Sequence, residues 1–346
     1  MPRKRVPTMM TYVDAETVRA TLTPDAAVEA IRETLRRGFD PADDIPRQLL
    51  PIPGGELLVM PSATQQATGI KVLTVGPDAP NRTVPRIQGQ YLLFDAETLS
   101  PRMMLDGIAL TSLRTPAVSF APIAPLLTES AEPLAVVIVG TGAQGVAHEA
   151  TLRDLLGGRR EVAITYVGRT RPNWCERWAE TGTDEARAAI EASDLIVCAS
   201  TAKAPVLEND WVKPDAVVIA LGSHDPAERE LPSDLMVRAQ IVVEEVDTAF
   251  RSGGDIVMAA ADGSITRENL IPMRAVIRGE HELHRDSPIV VKTTGMSWED
   301  LALATAIANL LDNEMAEDVE AYDIAKADDD GTRVSHDEVT TYELSE

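Results

Sequence analysis

The segment Val137-Ile138-Val139-Gly140-Thr141-Gly142-Ala143-Gln144-Gly145 sets three glycines at G-x-G-x-x-G spacing, after an apolar run and ahead of helix-favouring residues. In that setting Gly140 permits a tight turn, Gly142 leaves its backbone open to a close-approaching pyrophosphate, and Gly145 lets helix and strand pack closely. The helix that follows begins with amides that have no partner inside it, Ala143 and Gln144 first among them, and its dipole favours an anion there. The chemistry this spacing supports is dinucleotide binding. A lone glycine repeat carries less weight; the strand before it and the helix after it give this one its meaning.

A second apolar run ends in Tyr166-Val167-Gly168-Arg169-Thr170-Arg171. An acid at this edge would bind the ribose 2′-hydroxyl. Arg169, Thr170 and Arg171 suit a 2′-phosphate instead, so NADP is expected ahead of NAD. The competing reading has Arg169 stacking on the adenine, with little phosphate preference. Ser200 and Thr201, and the run from Leu221 and Gly222 through Ser223 to His224 and Asp225, close later strands on the same carboxyl edge, where ligands of such sheets bind. They read equally well as plain loops. Thr111, Lys292 and Gly295 are assigned to the cofactor side as well. No metal site is expected: Cys175 and Cys198 lack ligand spacing and read as ordinary thiols, too few for a disulfide framework in 346 residues.

The elements that must hold these residues follow from periodicity. Residues 12–38 read as helical, with Leu22-Thr23-Pro24-Asp25 as a start signal and Ala27, Ile31 and Leu35 at a spacing of four. Gln48–Ile52, Leu57–Met60, Ile70–Val75 and Gln90–Phe94 read as strands of a mostly antiparallel sheet. Leu113-Arg114-Thr115 reads as a helix start. From Leu134 the pattern changes to buried parallel strands: Leu134–Val139, Val162–Val167, Leu195–Ala199, Ala216–Leu221, Ile241–Val243 and Pro288–Lys292. Helical stretches such as His148–Leu156 and Asp184–Ala192 lie between them. The residues between Arg171 and Ala192 show no clear third strand, and Trp174 and Trp178 read as packing residues. Ser297–Met315 reads as a helix returning to the first part of the chain, and the acidic tail from about Ala327 as loosely packed or disordered.

The fold class expected is therefore α/β: a Rossmann-type doubly wound parallel sheet, residues 131–295, inserted in a discontinuous α+β domain of residues 1–130 and 296–346. The length suffices for two domains. A net charge of −23 argues against nucleic acid and against anionic membrane surfaces. No run is apolar for the length of a membrane span. The basic start Met1–Arg5 is not followed by an apolar segment, so the chain is placed in the cytoplasm.

In order, Ile45-Pro46-Arg47, Leu58-Val59-Met60-Pro61, Gly69-Ile70-Lys71, Leu93-Phe94-Asp95, Leu113-Arg114-Thr115, Gly140–Gln144, Gly168-Arg169-Thr170, Glu230-Leu231, Lys292-Thr293-Thr294-Gly295-Met296 and Glu299-Asp300 resemble the ornithine cyclodeaminase/mu-crystallin family. The resemblance spans about residues 10 to 312. It implies a homodimer, whose split first domain binds substrate and forms the dimer, and NAD(P) chemistry on an amino acid and its imine. It also implies that Arg47, Lys71 and Arg114 hold the substrate carboxylate. A cationic clamp suits an α-carboxylate, and a guanidinium fork gives two aligned donors. Lys71, inside an apolar strand and near two arginines, is expected to have a lowered pKa and to serve as a proton donor.

The sequence departs from the cyclodeaminases at Gly222-Ser223-His224-Asp225-Pro226. Those relatives carry an aspartate two residues before this proline, where His224 stands here. That favours plain hydride transfer, with His224 as a proton shuttle or simply a loop histidine, and Asp225 beside it as a further catalytic candidate. Glu56 is a candidate second polar group near the substrate nitrogen. The expected function is an NAD(P)-dependent reductase or dehydrogenase interconverting a 2-imino acid, cyclic or formed from a 2-oxo acid, with its amino acid. An ornithine or lysine cyclodeaminase with recycled NAD, and a dinucleotide-dependent binder without turnover, are the alternatives.

Overall fold

A computed structural model describes residues 10–77, 83–223 and 225–329. Among these, six strands form one sheet in the order Thr11–Val13, Pro101–Asp106, Ile87–Asp95, Ala67–Val75, Gly55–Ala63 and Gln48–Ile52. The first pair is parallel and the rest are antiparallel. Thr11–Val13 and Pro101–Asp106 add to the four strands expected. The first is three residues long and runs straight into a helix, and the second opens on proline and is built around methionines, so neither shows strong alternation.

The helix Pro24–Arg36 starts where expected: the Thr23 hydroxyl accepts from Ala26 N, and Pro24 occupies the first turn. Arg114 lies mid-helix rather than at a start. The helix runs Gly107–Phe120, and its cap is Asp106, whose carboxylate accepts from Ile108 N and Ala109 N. That cap sets the rotation of the helix, so Thr111 and Arg114, three residues apart, share a face.

Among the described residues, eight parallel strands form the second sheet, ordered Leu270–Pro272, Gln240–Val243, Ile289–Lys292, Val217–Ala220, Leu195–Cys198, Leu134–Val139, Val162–Gly168 and Trp178–Glu180. Along Leu134–Val139, Val136 and Ile138 enter one core and Val137 and Val139 the other, so both faces are buried. The sheet is wider than its sequence suggests. Trp178–Glu180 forms a short third strand at one edge, pairing with Tyr166–Gly168, and Leu270–Pro272 extends the other. Three residues are too few for a periodic signal. Trp178 thus packs as expected, whereas Trp174 is half-exposed and lies edge-on to Tyr166.

The core on one face of this sheet continues into that of the first, through Leu152, Leu155 and Leu156 of the helix Ala143–Leu156. It passes unbroken across the chain near residue 130. The last described helix, Ser297–Asp329, returns to the first sheet and runs past the expected end at Met315. Of the tail from Ala327, residues 327–329 are helical and 330–346 lie outside the described residues. No helix among the described residues is long and apolar enough to cross a membrane, and no group of side chains there could hold a metal ion.

Candidate active site

In the strand Ala67–Val75, residues 67, 69, 71 and 73 face inward. Lys71 stands among them, fully buried and paired with Met60 on one side and Tyr91 on the other. Its Nζ donates to Asp300 Oδ2 at 2.7 Å and to Thr111 Oγ1 at 3.1 Å. Arg114 NH1 donates to Glu299 Oε2 at 2.8 Å, and its Nε lies 3.9 Å from Asp300 Oδ1. Arg47 NH1 donates to the carbonyls of Thr294 and Gly295 at 3.0 and 3.3 Å. The three cations of the expected clamp therefore meet at the start of the helix Ser297–Asp329, from three separate parts of the chain.

The electrostatics of the cluster follow from burial. Burial pushes Lys71 down to about 8, with Arg114 adding to the push and Asp300 opposing it. Burial also works against the charge on Arg114, but Glu299, Asp300 and Glu244 outweigh it and hold the guanidinium above its usual value. Glu299 is raised well above the carboxylate range, first by burial and then by the neighbouring Glu244, with Arg114 opposing, and it accepts from Arg114. Glu244 also accepts from Thr294 N, Thr294 Oγ1 and Gly295 N, which fixes the loop over the cations. Arg47, Lys71 and Arg114 thus face three buried acids, Glu244, Glu299 and Asp300, around one helix start. Burial raises the cost of any charge in the cluster that lacks a partner.

The glycine turn has the geometry its spacing implies. Gly140 has φ +120°, and a Cβ there would stand 2.3 Å from Ala199 O. A Cβ on Gly145 would stand 2.4 Å from Gly140 O. A Cβ on Gly142 would meet nothing within 4 Å, and no side chain caps the helix that Gly142 opens, so its amides face open space. Gln144 leaves a buried Oε1 without a partner beside them. These features fit a dinucleotide pyrophosphate.

Beyond the turn, several cofactor assignments change. Arg169 and Thr170 are exposed at the end of the strand Val162–Gly168, and Arg169 has no ion pair among the described residues. Arg171 is turned away, because its guanidinium donates to the carbonyls of Cys175 and Glu176 and braces its own loop. Ser200 donates through N and Oγ to Glu230 Oε1, while Gly222 N donates to Glu230 Oε2. One buried carboxyl thus ties two strand-end loops together, leaving Leu221 part-buried and Thr201 exposed there. Burial raises Glu230 to about 7. Lys292 is fully buried, donates to Ser223 O at 2.5 Å and pairs with Asp255 at 3.0 Å, so it supports the loop from below rather than facing a ligand. Gly295 belongs to the cation cluster: it has φ +81°, and a Cβ there would stand 2.7 Å from Arg114 NH1. Thr111 likewise lies beside Lys71.

Two further assignments part from the cluster. Glu56 shares a face with Met60 but pairs with Val75, four positions and about 13 Å along the strand from Lys71. It is exposed at the sheet's far end. Asp225 is exposed, and its carboxylate accepts from Ala227 N to cap a turn. His224 lies outside the described residues. The acids the site uses, Glu244, Asp255, Glu299 and Asp300, carried no assigned role in the sequence. Their common signal is an acid in an apolar setting, as in Gly254-Asp255-Ile256 and Trp298-Glu299-Asp300-Leu301.

Fold and site together define a class: a doubly wound sheet with an open glycine turn, joined to an antiparallel sheet that carries a buried cation cluster. The chain belongs to the ornithine cyclodeaminase/mu-crystallin family, whose model matches residues 6–314. It is 32% identical to the mouse (Mus musculus) ketimine reductase mu-crystallin, over 73% of this chain and 80% of that one. In fold it is similar to the Thermococcus litoralis Δ1-pyrroline-2-carboxylate reductase solved with NADH and L-proline, with a TM-score of 0.76 at 19% identity, covering 88% of this chain and 98% of that one. It is likewise similar to an archaeal alanine dehydrogenase dimer with bound NAD, with a TM-score of 0.75 at 23% identity, covering 88% and 97%.

Proposed function

We propose that the chain is an NAD(P)-dependent oxidoreductase that interconverts a 2-imino acid and the corresponding amino acid. The observation that carries this is the convergence of Arg47, Lys71 and Arg114, from three parts of the chain, on one buried cluster that suits an α-carboxylate. The relatives support the reading, since one is named a ketimine reductase and another was solved with NADH and L-proline. A bound dinucleotide supplies or takes the hydride. Arg47 and Arg114 hold the carboxylate and so orient the carbon–nitrogen bond. Lys71 Nζ gives a proton to the substrate nitrogen in reduction and takes one back in oxidation.

The test is oxidation of the reduced cofactor on addition of cyclic 2-imino acids, or of a 2-oxo acid with an amine, followed by its absorbance. Because Lys71 loses its proton near pH 8, imine reduction is expected to fall as pH rises through that value and amine oxidation to rise. Unchanged absorbance across a broad panel would remove the redox reading. Release of ammonia from ornithine or lysine without net cofactor turnover would replace it with cyclodeamination.

The cofactor preference we propose is NADP, because Arg169 is exposed beside Thr170 at the strand end and has no ion pair among the described residues. Arg169→Ala is expected to weaken NADP at least tenfold and to leave NAD nearly unchanged, as read by calorimetry; equal losses would mean stacking on adenine.

The working unit we propose is a homodimer. Tyr12, Met104, Leu92 and Ile70 line up across the outer face of the six-stranded sheet, with Val72 and Val59 alongside. None of the six is fully buried within the chain, and a second copy supplies the cover. Leu92→Glu is expected to turn the dimer into monomer in sedimentation; a monomeric wild type would refute it. The buried thiols Cys175 and Cys198 suit a reducing cytoplasm.

A further inference from the structure

Lys71 and Asp300 form an ion pair with side chains 1% and 0% exposed. The groups facing Lys71 come from each element packed against it. Asp300 and Glu299 come from the helix Ser297–Asp329, Thr111 and Arg114 from the helix Gly107–Phe120, and Tyr91 from the neighbouring strand. Asp300 Oδ2 receives the Lys71 ammonium. Its Oδ1, buried and without a hydrogen-bond partner, faces the equally unpartnered Arg114 Nε across 3.9 Å. One carboxylate therefore stands between two cations that would otherwise repel each other in a low-dielectric interior.

The geometry points to Asp300 as the positioning residue that holds the proton on Lys71 while Arg114 lies alongside. Burial and Arg114 both favour the neutral amine, and Asp300 is the first of the groups that oppose them, ahead of Glu299. Without that carboxylate the balance at Lys71 shifts toward the neutral amine, and the clamp loses part of a cation and of its proton. Asp300 touches Lys71 directly and acts on the proposed chemistry through it. The use made of that proton rests on the oxidoreductase reading above. The effect of Asp300 on Lys71 does not.

The chain has six lysines, Lys4, Lys71, Lys203, Lys213, Lys292 and Lys326, few enough to follow singly. Carbon-13 labelling at lysine Cε, with Lys71 assigned from Lys71→Met, lets its titration be read by NMR in the full chain without substrate. In the wild type the midpoint is expected at about 8. In Asp300→Asn it should fall by about 1–3 units, the usual effect of one close opposite charge. Asp300→Glu, which keeps the charge, should stay near the wild type, and Thr111→Val, which removes only a neutral contact, should move it little. An unmoved midpoint in folded Asp300→Asn would overturn the inference. So would a fall in Asp300→Glu as large as that expected for the charge loss, an arm that decides the matter even where Asp300→Asn does not fold. With an active substrate, the pH at which kcat/KM for imine reduction declines should shift by the same amount. A failed substrate screen leaves the NMR result standing, and an unmoved midpoint leaves the redox activity standing.

Discussion

Lys71→Met is expected to lower kcat/KM for imine reduction by about 10²- to 10⁴-fold, the usual contribution of a positioned proton donor, and to leave dinucleotide affinity unchanged. Methionine keeps the length and apolar stem of lysine but neither its charge nor its protons. The amine it replaces touches Asp300 and Thr111 and lies in the same cluster as Arg114, in the first sheet's part of the molecule. The glycine turn stands in the other sheet, so cofactor binding has no reason to change. The substitution also leaves Asp300 buried beside a thioether. Breaking a buried ion pair commonly costs about 3–5 kcal/mol, lessened here because Arg114 Nε is 3.9 Å from Asp300. The variant should therefore fold with a lower Tm and bind cofactor. Turnover close to wild type in a folded Lys71→Met would remove Lys71 from the chemistry.

The second large effect separates two glycines of one turn. Gly140→Ala is expected to destabilise the chain by about 3 kcal/mol, from a backbone region closed to L side chains plus a steric overlap. The residue has φ +120°, and the new Cβ would stand 2.3 Å from Ala199 O, a backbone atom held by the sheet. Gly142→Ala should leave the stability of the cofactor-free chain nearly untouched, because φ is −82° and nothing lies within 4 Å of the added carbon. That open space is where the pyrophosphate is expected, so dinucleotide affinity should fall by at least tenfold. Thermal denaturation and calorimetry on the two variants read both effects. Unaltered affinity in Gly142→Ala would mean that the phosphates do not approach this backbone. Equal loss of stability in both would contradict the geometry of the turn.

The glycine turn was readable in the sequence because every part of it is local. Strand, turn and helix follow one another within Leu134–Leu156, and the reasons for Gly140, Gly142 and Gly145 need no distant residue. The buried parallel strands were readable for the same reason, since continuous runs such as Leu134–Val139 and Ile289–Lys292 are apolar on both faces. Weak local signals failed. Trp178–Glu180 and Leu270–Pro272 are strands because a neighbouring strand offers them hydrogen bonds, not because three residues prefer that shape. The cations Arg47, Lys71 and Arg114 were singled out by a family likeness, and the residue types suit the role.

What those cations pair with was decided only in three dimensions. Lys71 meets Asp300 across 229 positions, and Arg114 meets Glu299 across 185. Charge interactions depend on distance and burial, neither of which a spacing along the chain encodes. Residue type alone could not tell a cation that faces a ligand from one consumed by the fold. Arg171 is spent on the carbonyls of Cys175 and Glu176, and Lys292 on Ser223 O and Asp255, whereas Arg169, two positions before the first of these, has no ion pair among the described residues. By itself the sequence determined that a dinucleotide turn opens a buried parallel sheet. The tertiary structure decided that Asp300, Glu299 and Glu244 stand around the clamp, and so which acids its cations meet.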